Sequence, residues 1–358
     1  MSETYSRHKE YSLILAAAAA VVLFFLDKTT NMPLLVFLNI FAVAAVLFSA
    51  FSVIRHADVL AHRFGEPYGS LILSLSIVVL EVGLISVLML SGAASETLMR
   101  DTVYAVVIIV MAGLTGFGLL LGGWRYKTQE FNFKGIKHFL ISILPMAVIT
   151  FVLPAALNGG YGSGQLAVLS LTFLALYGIF LHVQTKTHRN FFVYEDEDED
   201  ADHHGKPSAH STAYHAVFLM VHLIAVIGIT KLNSYPLGNL LGAIGTPAAF
   251  TGFLVALLIL TPEGLGAFKS ILNNQVQRAM NLLLGSVLAT ISLTVPTVVL
   301  IAALTGQNIQ MALDLPNIIL MATTLIVCQT SLAEGRTNAH SGASHILLFV
   351  IYVMLLFR

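Results

Sequence analysis

LLILTPEGLGAFKS, residues 257–270, decides how this chain is read. It opens on aliphatic residues, as a buried helix would, and then Pro262, Glu263, Gly264 and Gly266 interrupt the run. Pro262 has no amide hydrogen for the preceding turn, and Glu263 sets a carboxylate inside an apolar segment. Both features cost free energy. The stretch therefore predicts a helix broken at Pro262 and Gly264, with backbone carbonyls exposed beside the glutamate.

Composition excludes a domain surrounded by water. Of 358 residues, 57% are hydrophobic and only 10% are charged, and the mean hydropathy is +0.84. Soluble domains carry about 25% charged residues. Apolar runs of roughly 18 residues or more, each long enough to cross about 30 Å of hydrocarbon as a helix, recur along the whole chain. Eleven spans are read, at 11–26, 33–54, 69–91, 102–121, 136–156, 165–183, 212–229, 248–268, 280–303, 314–332 and 344–357. The first follows Arg7 and Lys9 as a signal peptide would, but it ends in Phe24, Phe25, Leu26, Asp27 and Lys28 without a small-residue cleavage pattern, so it is kept as a membrane helix. The fold class expected is an all-α polytopic membrane protein of about 11 transmembrane helices. Cys328 is the single cysteine, which excludes an intramolecular disulfide and a multi-thiolate metal site. A net charge of −1 speaks against a nucleic-acid partner.

Basic residues set the orientation. With the N-terminus inside, Arg7, Lys9, Arg55, Arg63, Arg125, Lys127, Lys134, Lys137, Lys186, Arg189, Lys206, Lys269, Arg278 and Arg336 fall on the cytoplasmic side, fourteen of the eighteen lysines and arginines. Lys28, Arg100, Lys231 and Arg358 remain outside. The positive-inside rule then gives a cytoplasmic N-terminus and a C-terminus on the opposite face.

The opening stretch has an echo. GEPYGSLILSLSIVVLEVGLISVLML, residues 65–90, and GTPAAFTGFLVALLILTPEGLGAFKS, residues 245–270, both run from Gly-x-Pro through an aliphatic helix to a glutamate followed by glycine. The two glutamates, Glu81 and Glu263, lie on the third and eighth spans. An offset of five spans makes the two copies cross in opposite directions, the inverted repeat of many secondary transporters. The expected organisation is a tail and first helix at 1–32, a first five-helix repeat at 33–183, an acidic linker at 184–211 and a second, inverted five-helix repeat at 212–358.

Acidic residues point to the chemistry. Of nineteen, seventeen fall in tails, loops or near a span boundary, and only Glu81 and Glu263 sit well inside an apolar run. A charged group at the bilayer centre costs about 2.5 kcal/mol or more on insertion scales, which makes an intramembrane carboxylate a functional candidate. Desolvation disfavours the charged form, so a proton binds well when no cation is present, and a cation drives it off. Groups that hold either protons or a metal ion are the thermodynamic core of antiport. Calcium takes six to eight oxygen ligands. The two carboxylates, the carbonyls expected at Pro262 and Gly264, and the hydroxyl of Ser74, seven residues before Glu81 on the same face, would supply them. Thr261, Ser286 and Thr290 are weaker hydroxyl candidates, since such groups also pack between membrane helices.

With these residues in place, the chain resembles the calcium/cation antiporter superfamily, in particular its calcium/proton exchanger branch. HADVLAHRFGEPYGSLILSLSIVVLE, LTPEGLGAFKSILNNQVQRAMNLLLGSVLATISLTVP, the acidic tract and HHGKPSAHS carry the resemblance, which covers essentially the whole chain. It implies that Glu81 and Glu263 are the paired glutamates of two repeats, that Ser286 lines the site from the following helix, and that the protein resides in a bacterial inner membrane. The pattern differs at one place. No Gly-Asn-x-x-Glu motif precedes Glu81, and Val78, Val79 and Leu80 occupy those positions.

Between the sixth and seventh spans, Glu195, Asp196, Glu197, Asp198, Glu199, Asp200 and Asp202 precede His203 and His204. The tract reads either as a solvated, self-repelling linker or as a cation-attracting regulatory segment. His56, Asp58, His62 and Glu66 read as a polar cytoplasmic connection, and GGYG at 159–162 as a glycine turn rather than an ion filter. Metalloprotease, serine-hydrolase and Walker motifs are absent, so neither an enzyme nor an ATP-driven pump is expected. The reading is a secondary antiporter that exports Ca2+ and/or Na+, or K+, in exchange for H+ at a midplane site. A cation channel with a paired-glutamate filter is the alternative. No cofactor is expected, and the partners are the lipid bilayer and the transported ions.

Overall fold

The computed structural model describes residues 10–26, 28–65, 68–91, 96–157, 160–193, 208 and 210–358. The helices are α1 (Tyr11–Leu26), α2 (Met32–Phe64), α3 (Tyr68–Leu90), α4 (Leu98–Tyr126), α5 (Phe133–Ala156), α6 (Ser163–Thr187), α7 (Thr212–Ala243), α8 (Ala249–Leu272), α9 (Val276–Thr305), α10 (Leu315–Ser331) and α11 (Ala339–Leu356). Each coincides with one of the apolar runs. Nine of them, among the described residues, are long and apolar enough to cross a membrane. The other two, α1 and α10, are apolar but only 16 and 17 residues long, about 24–26 Å at 1.5 Å per residue.

Local chemistry sets the ends. The Asn31 side chain accepts from the Leu34 amide ahead of α2, Asn132 caps α5 through Lys134, Ser211 caps α7 through Tyr214, and Asn338 caps α11 through His340 and Ser341. Gly306, at φ 69°, closes α9 in the left-handed conformation. Two helices outrun the apolar pattern: α2 continues to Phe64 and α7 to Ala243, because Asn39, His56, Asn233 and Ser234 are polar residues that the helices bury. At 32 residues α7 is about 48 Å long, well beyond a hydrocarbon core. Four helices contain a π-helical turn, at Ile109–Leu114 in α4, Val148–Val152 in α5, Val183–Thr187 in α6 and Thr290–Thr294 in α9.

The helices fall into two compact units, the first built from α1, α2, α3 and α7 and the second from α4–α6 and α8–α11. In the first, α2 runs along α7 while α1 and α3 each pack on both. Asn39 Nδ2 donates to the Leu35 and Pro236 carbonyls at 2.9 and 3.2 Å, and Asn233 Nδ2 donates to Asn39 Oδ1 at 3.1 Å. This polar clasp joins two otherwise aliphatic faces, as hydrogen bonds between membrane helices do.

In the second unit α4 is buried on nearly every side from Leu98 to Gly113, as an all-round apolar helix must be. It packs against α8 and α11, and α5 and α6 flank α9. The all-α expectation holds, and one short ribbon accompanies the helices: Thr128–Glu130 (β1) pairs antiparallel with Arg336–Asn338 (β2). Gln129, in the middle of β1, is buried and donates to the Ile271 carbonyl and to Asn274 Oδ1, so the ribbon fastens the end of α8 as well. Nearby, Asn132 reaches the Asn190 carbonyl and Asn281 the Phe192 carbonyl. A second group of connections meets elsewhere in this unit: Gln310 donates to the Glu96 carbonyl, Arg100 to the Ala312 carbonyl, and Arg358 pairs with Asp314. Along the chain, α4, α8, α9, α10 and α11 each lead from one group to the other.

Candidate functional site

Glu81 and Glu263 are both buried, at 0% and 3% exposure, and Asp101 near the start of α4 is a further buried carboxylate, paired with Arg100 and accepting from the Thr97 hydroxyl. Glu81 lies on α3 in the first unit and Glu263 on α8 in the second. A glycine lets a neighbour approach closely beside each. A Cβ on Gly83 would lie 2.7 Å from the Ile227 side chain of α7, and one on Gly264 would lie 2.9 Å from Leu114 Cδ2 in the π-turn of α4. Farther up α8, a Cβ on Gly252 would come within 2.7 Å of the Thr102 backbone nitrogen and 2.8 Å of the Asp101 carbonyl carbon. The seam between α8 and α4 is therefore a backbone-to-backbone contact that holds the Glu263 helix close, the small-residue packing typical of membrane helices.

The opening stretch does not break its helix. Helix α8 runs without interruption from Ala249 to Leu272 with Pro262 inside it and buried. Neighbouring helices tolerate proline in this way, because the chain on either side is held by packing. What Pro262 does is deny the Leu258 carbonyl the amide it would otherwise meet one turn on, so a single carbonyl is released without an opened segment. Gly264 serves the contact with Leu114 rather than a break. Thr261 is half-buried, and its hydroxyl is spent on the Leu257 carbonyl at 2.6 Å. Ser74 is half-buried on α3, Ser286 is buried on α9, and Thr290 is buried where the π-turn of α9 begins. The regulatory candidates Glu195, Asp196, Glu197, Asp198, Glu199, Asp200, Asp202, His203 and His204 lie outside the described residues, as does Glu66.

The polar connection expected around His56 is part of a helix instead. Helix α2 carries His56, Asp58 and His62, and His56 is wholly buried. Three other buried histidines escaped the sequence reading: His215 and His222 on α7 and His345 on α11. The spacing of seven between His215 and His222 puts both on one helix face, a signal legible in the sequence. His345 Nδ1 lies 2.6 Å from the Met111 carbonyl and therefore carries its proton there; in the neutral ring Nε2 accepts from the Ser331 hydroxyl at 2.7 Å.

The comparisons with known proteins agree with this architecture. Residues 34–186 and 214–358 match the sodium/calcium exchanger protein family. The chain is 56% identical, over 98% of its length and 97% of the relative's, to the sodium-potassium/proton antiporter ChaA of Escherichia coli strain K12. Among solved structures it is similar to native YfkE, with a TM-score of 0.75 at 18% identity over 97% of this chain and 99% of that one. It is similar also to the H+/Ca2+ exchanger CAX, with a TM-score of 0.67 at 14% identity over 96% and 88%. Buried glutamates on two helices of an all-helical, multi-span fold are thus found in a chain that belongs to the sodium/calcium exchanger family.

Proposed function

We propose that this protein is a secondary antiporter that moves Na+, K+ or Ca2+ out of the cytoplasm in exchange for protons, with Glu81 and Glu263 as the groups the two ions share. The observation that carries the reading is the removal of both carboxylates from water within apolar helices. A buried carboxylate needs a counter-charge, and a proton or a cation each provides one. Competition between them couples the two fluxes. The 56% identical relative is named for sodium and potassium, and a crystallised form of YfkE is described as a Ca2+/H+ antiporter, so both monovalent and divalent cations belong in the assay.

On the Glu81 helix Ser74 is the hydroxyl candidate, and in the second unit the released Leu258 carbonyl, Thr261, Pro262, Gly264 and Ser286 are the candidates to accompany Glu263. Exchange proceeds by alternating access, with residues 33–183 and 212–358 as inverted repeats after the first helix. The third helix of each five carries a π-turn near its middle, Ile109–Leu114 and Thr290–Thr294, which supports the pairing of the two halves. We read eleven crossings, with the N-terminus cytoplasmic and the C-terminus periplasmic; in the second unit, the way α4 and α8–α11 lead between the two groups of connections supports their alternation. The acidic segment at 195–204 is the cytoplasmic regulatory candidate.

In everted membrane vesicles, adding Na+, K+ or Ca2+ should dissipate an imposed pH gradient. Glu81→Gln and Glu263→Gln should each abolish this while the protein still inserts in the membrane. Retained exchange in either variant removes that residue from the site, and cation flux without counter-movement of protons refutes antiport.

A further inference from the structure

Outside the proposed transport site, a second cluster of ligating groups joins the start of α1 to α2 and α7. Glu10 precedes α1, His56 lies on α2 and His222 on α7, and both imidazoles are wholly buried. Glu10 Oε2 is 3.2 Å from His222 Nε2, Glu10 Oε1 is 3.5 Å from His56 Nε2, and one ligand atom from each of the three lies within 4.8 Å of the others. In a tetrahedral site with metal–ligand bonds of about 2.0–2.1 Å, neighbouring ligand atoms stand about 3.3 Å apart. The contacts of Glu10 already have that spacing.

The surroundings are those of a ligand shell. His56 Nδ1 is 2.8 Å from His215 Nδ1, and His215 Nε2 is 2.8 Å from Ser208 Oγ, so the His56 ring is oriented from its far side. Metal-bound histidines are held in this way through the nitrogen that does not bind the ion. Tyr214 donates its hydroxyl to Glu10 Oε1 at 2.9 Å. His222 Nδ1, by contrast, is buried with no hydrogen-bond partner among the described residues, so the Nε2 contact with Glu10 is what anchors that ring. Burial alone would raise the Glu10 carboxyl, but the hydrogen bonds from His222 and Tyr214 and the charge of Arg55 hold it down at about 2, so it is an anion at neutral pH.

One cation already competes for this carboxylate. Arg55 Nη2 is 2.7 Å from Glu10 Oε2 and 3.3 Å from His56 Nε2, and the Arg55 side chain is 30% exposed, so this cation stands at the edge of the cluster.

We propose that Glu10, His56 and His222 form a binding site for a first-row transition-metal dication of the Zn2+ class, with water in the fourth position and Arg55 as the group the ion displaces. Two imidazoles and one carboxylate suit zinc, cobalt or nickel and not calcium, which prefers six to eight oxygens. The site is therefore chemically distinct from the transport site. A bound ion ties residue 10 to α2 and α7 and acts as a clasp on the N-terminal helix.

The test uses full-length, tag-free protein in detergent, with excess Ca2+ present and His203→Ala and His204→Ala in the background to silence the linker histidines. Zn2+ titration by calorimetry and the visible spectrum of added Co2+ report binding. One equivalent should bind, with a four-coordinate Co2+ spectrum. Glu10→Gln and His222→Gln should each lower affinity by at least about tenfold. Arg55→Gln should tighten binding by about tenfold, because it removes the competing cation; a hydrogen-bonded latch without a metal would show no such gain. Absence of stoichiometric binding, unchanged affinity in the Glu10 and His222 variants, or no tightening in Arg55→Gln overturns the proposal. Arg55→Gln leaves all three ligands in place, so it decides the matter even where another variant fails to fold.

Discussion

Two glycines on α8 allow the packing around Glu263 to be tested quantitatively. Gly252→Ala would bring a methyl to 2.7 Å from the Thr102 nitrogen, 2.8 Å from the Asp101 carbonyl carbon and 2.9 Å from Asp101 Cβ. Comfortable contact begins near about 3.5 Å, so the two helices must part by roughly 0.8 Å. Two of these neighbours are backbone atoms, which cannot turn aside. Overpacking costs about 1–3 kcal/mol, here toward the upper end. Alanine recovers up to about 1 kcal/mol of helix propensity, leaving a net loss near 2 kcal/mol. Gly264→Ala meets only Leu114 Cδ2 and Cδ1, at 2.9 and 3.1 Å. These atoms end a flexible side chain, so the cost of about 1 kcal/mol is offset by propensity and the net change is near zero. Unfolding of the purified variants in mixed detergent, followed by tryptophan and tyrosine fluorescence, should separate the two by about 2 kcal/mol. Exchange in vesicles should fall with Gly252→Ala, since that variant moves α8 off α4. Equal shifts in both, or a stabilised Gly252→Ala, would refute the claim that a backbone contact sets the position of the Glu263 helix.

Two further outcomes are expected. His345→Leu, nearer in volume than a phenyl ring, strips the Met111 carbonyl and the Ser331 hydroxyl of their imidazole partner, and should cost about 1–3 kcal/mol in the same unfolding assay; an unchanged midpoint would show that this bridge carries no stability. Deleting residues 195–202 should shift the pH or cation dependence of exchange while leaving its maximal rate intact, and identical profiles would make the tract a plain linker.

The positions of the helices were legible because each has to be apolar over most of its length to be stable in hydrocarbon, and that requirement is written residue by residue. Their ends were not. Helices α2 and α7 continue through His56, Asn39 and Asn233 because those groups satisfy one another across the interface, and no property of the isolated segment announces a partner nearly two hundred residues away. The same limit hid Gln129, whose burial depends on carbonyls from α8 and on a short ribbon with residues 336–338.

That Glu81 and Glu263 lie buried in apolar helices was legible from sequence alone, since a carboxylate amid aliphatic residues is costly wherever the chain folds. The sequence also determined that Pro262 withholds one hydrogen bond, a covalent fact. Whether that omission would break the helix was decided by tertiary structure, because Gly252 lets α4 lie close enough to hold α8 as one continuous helix through the proline. Propensity is local and weak, whereas the packing of a buried helix is collective, and here the packing prevails.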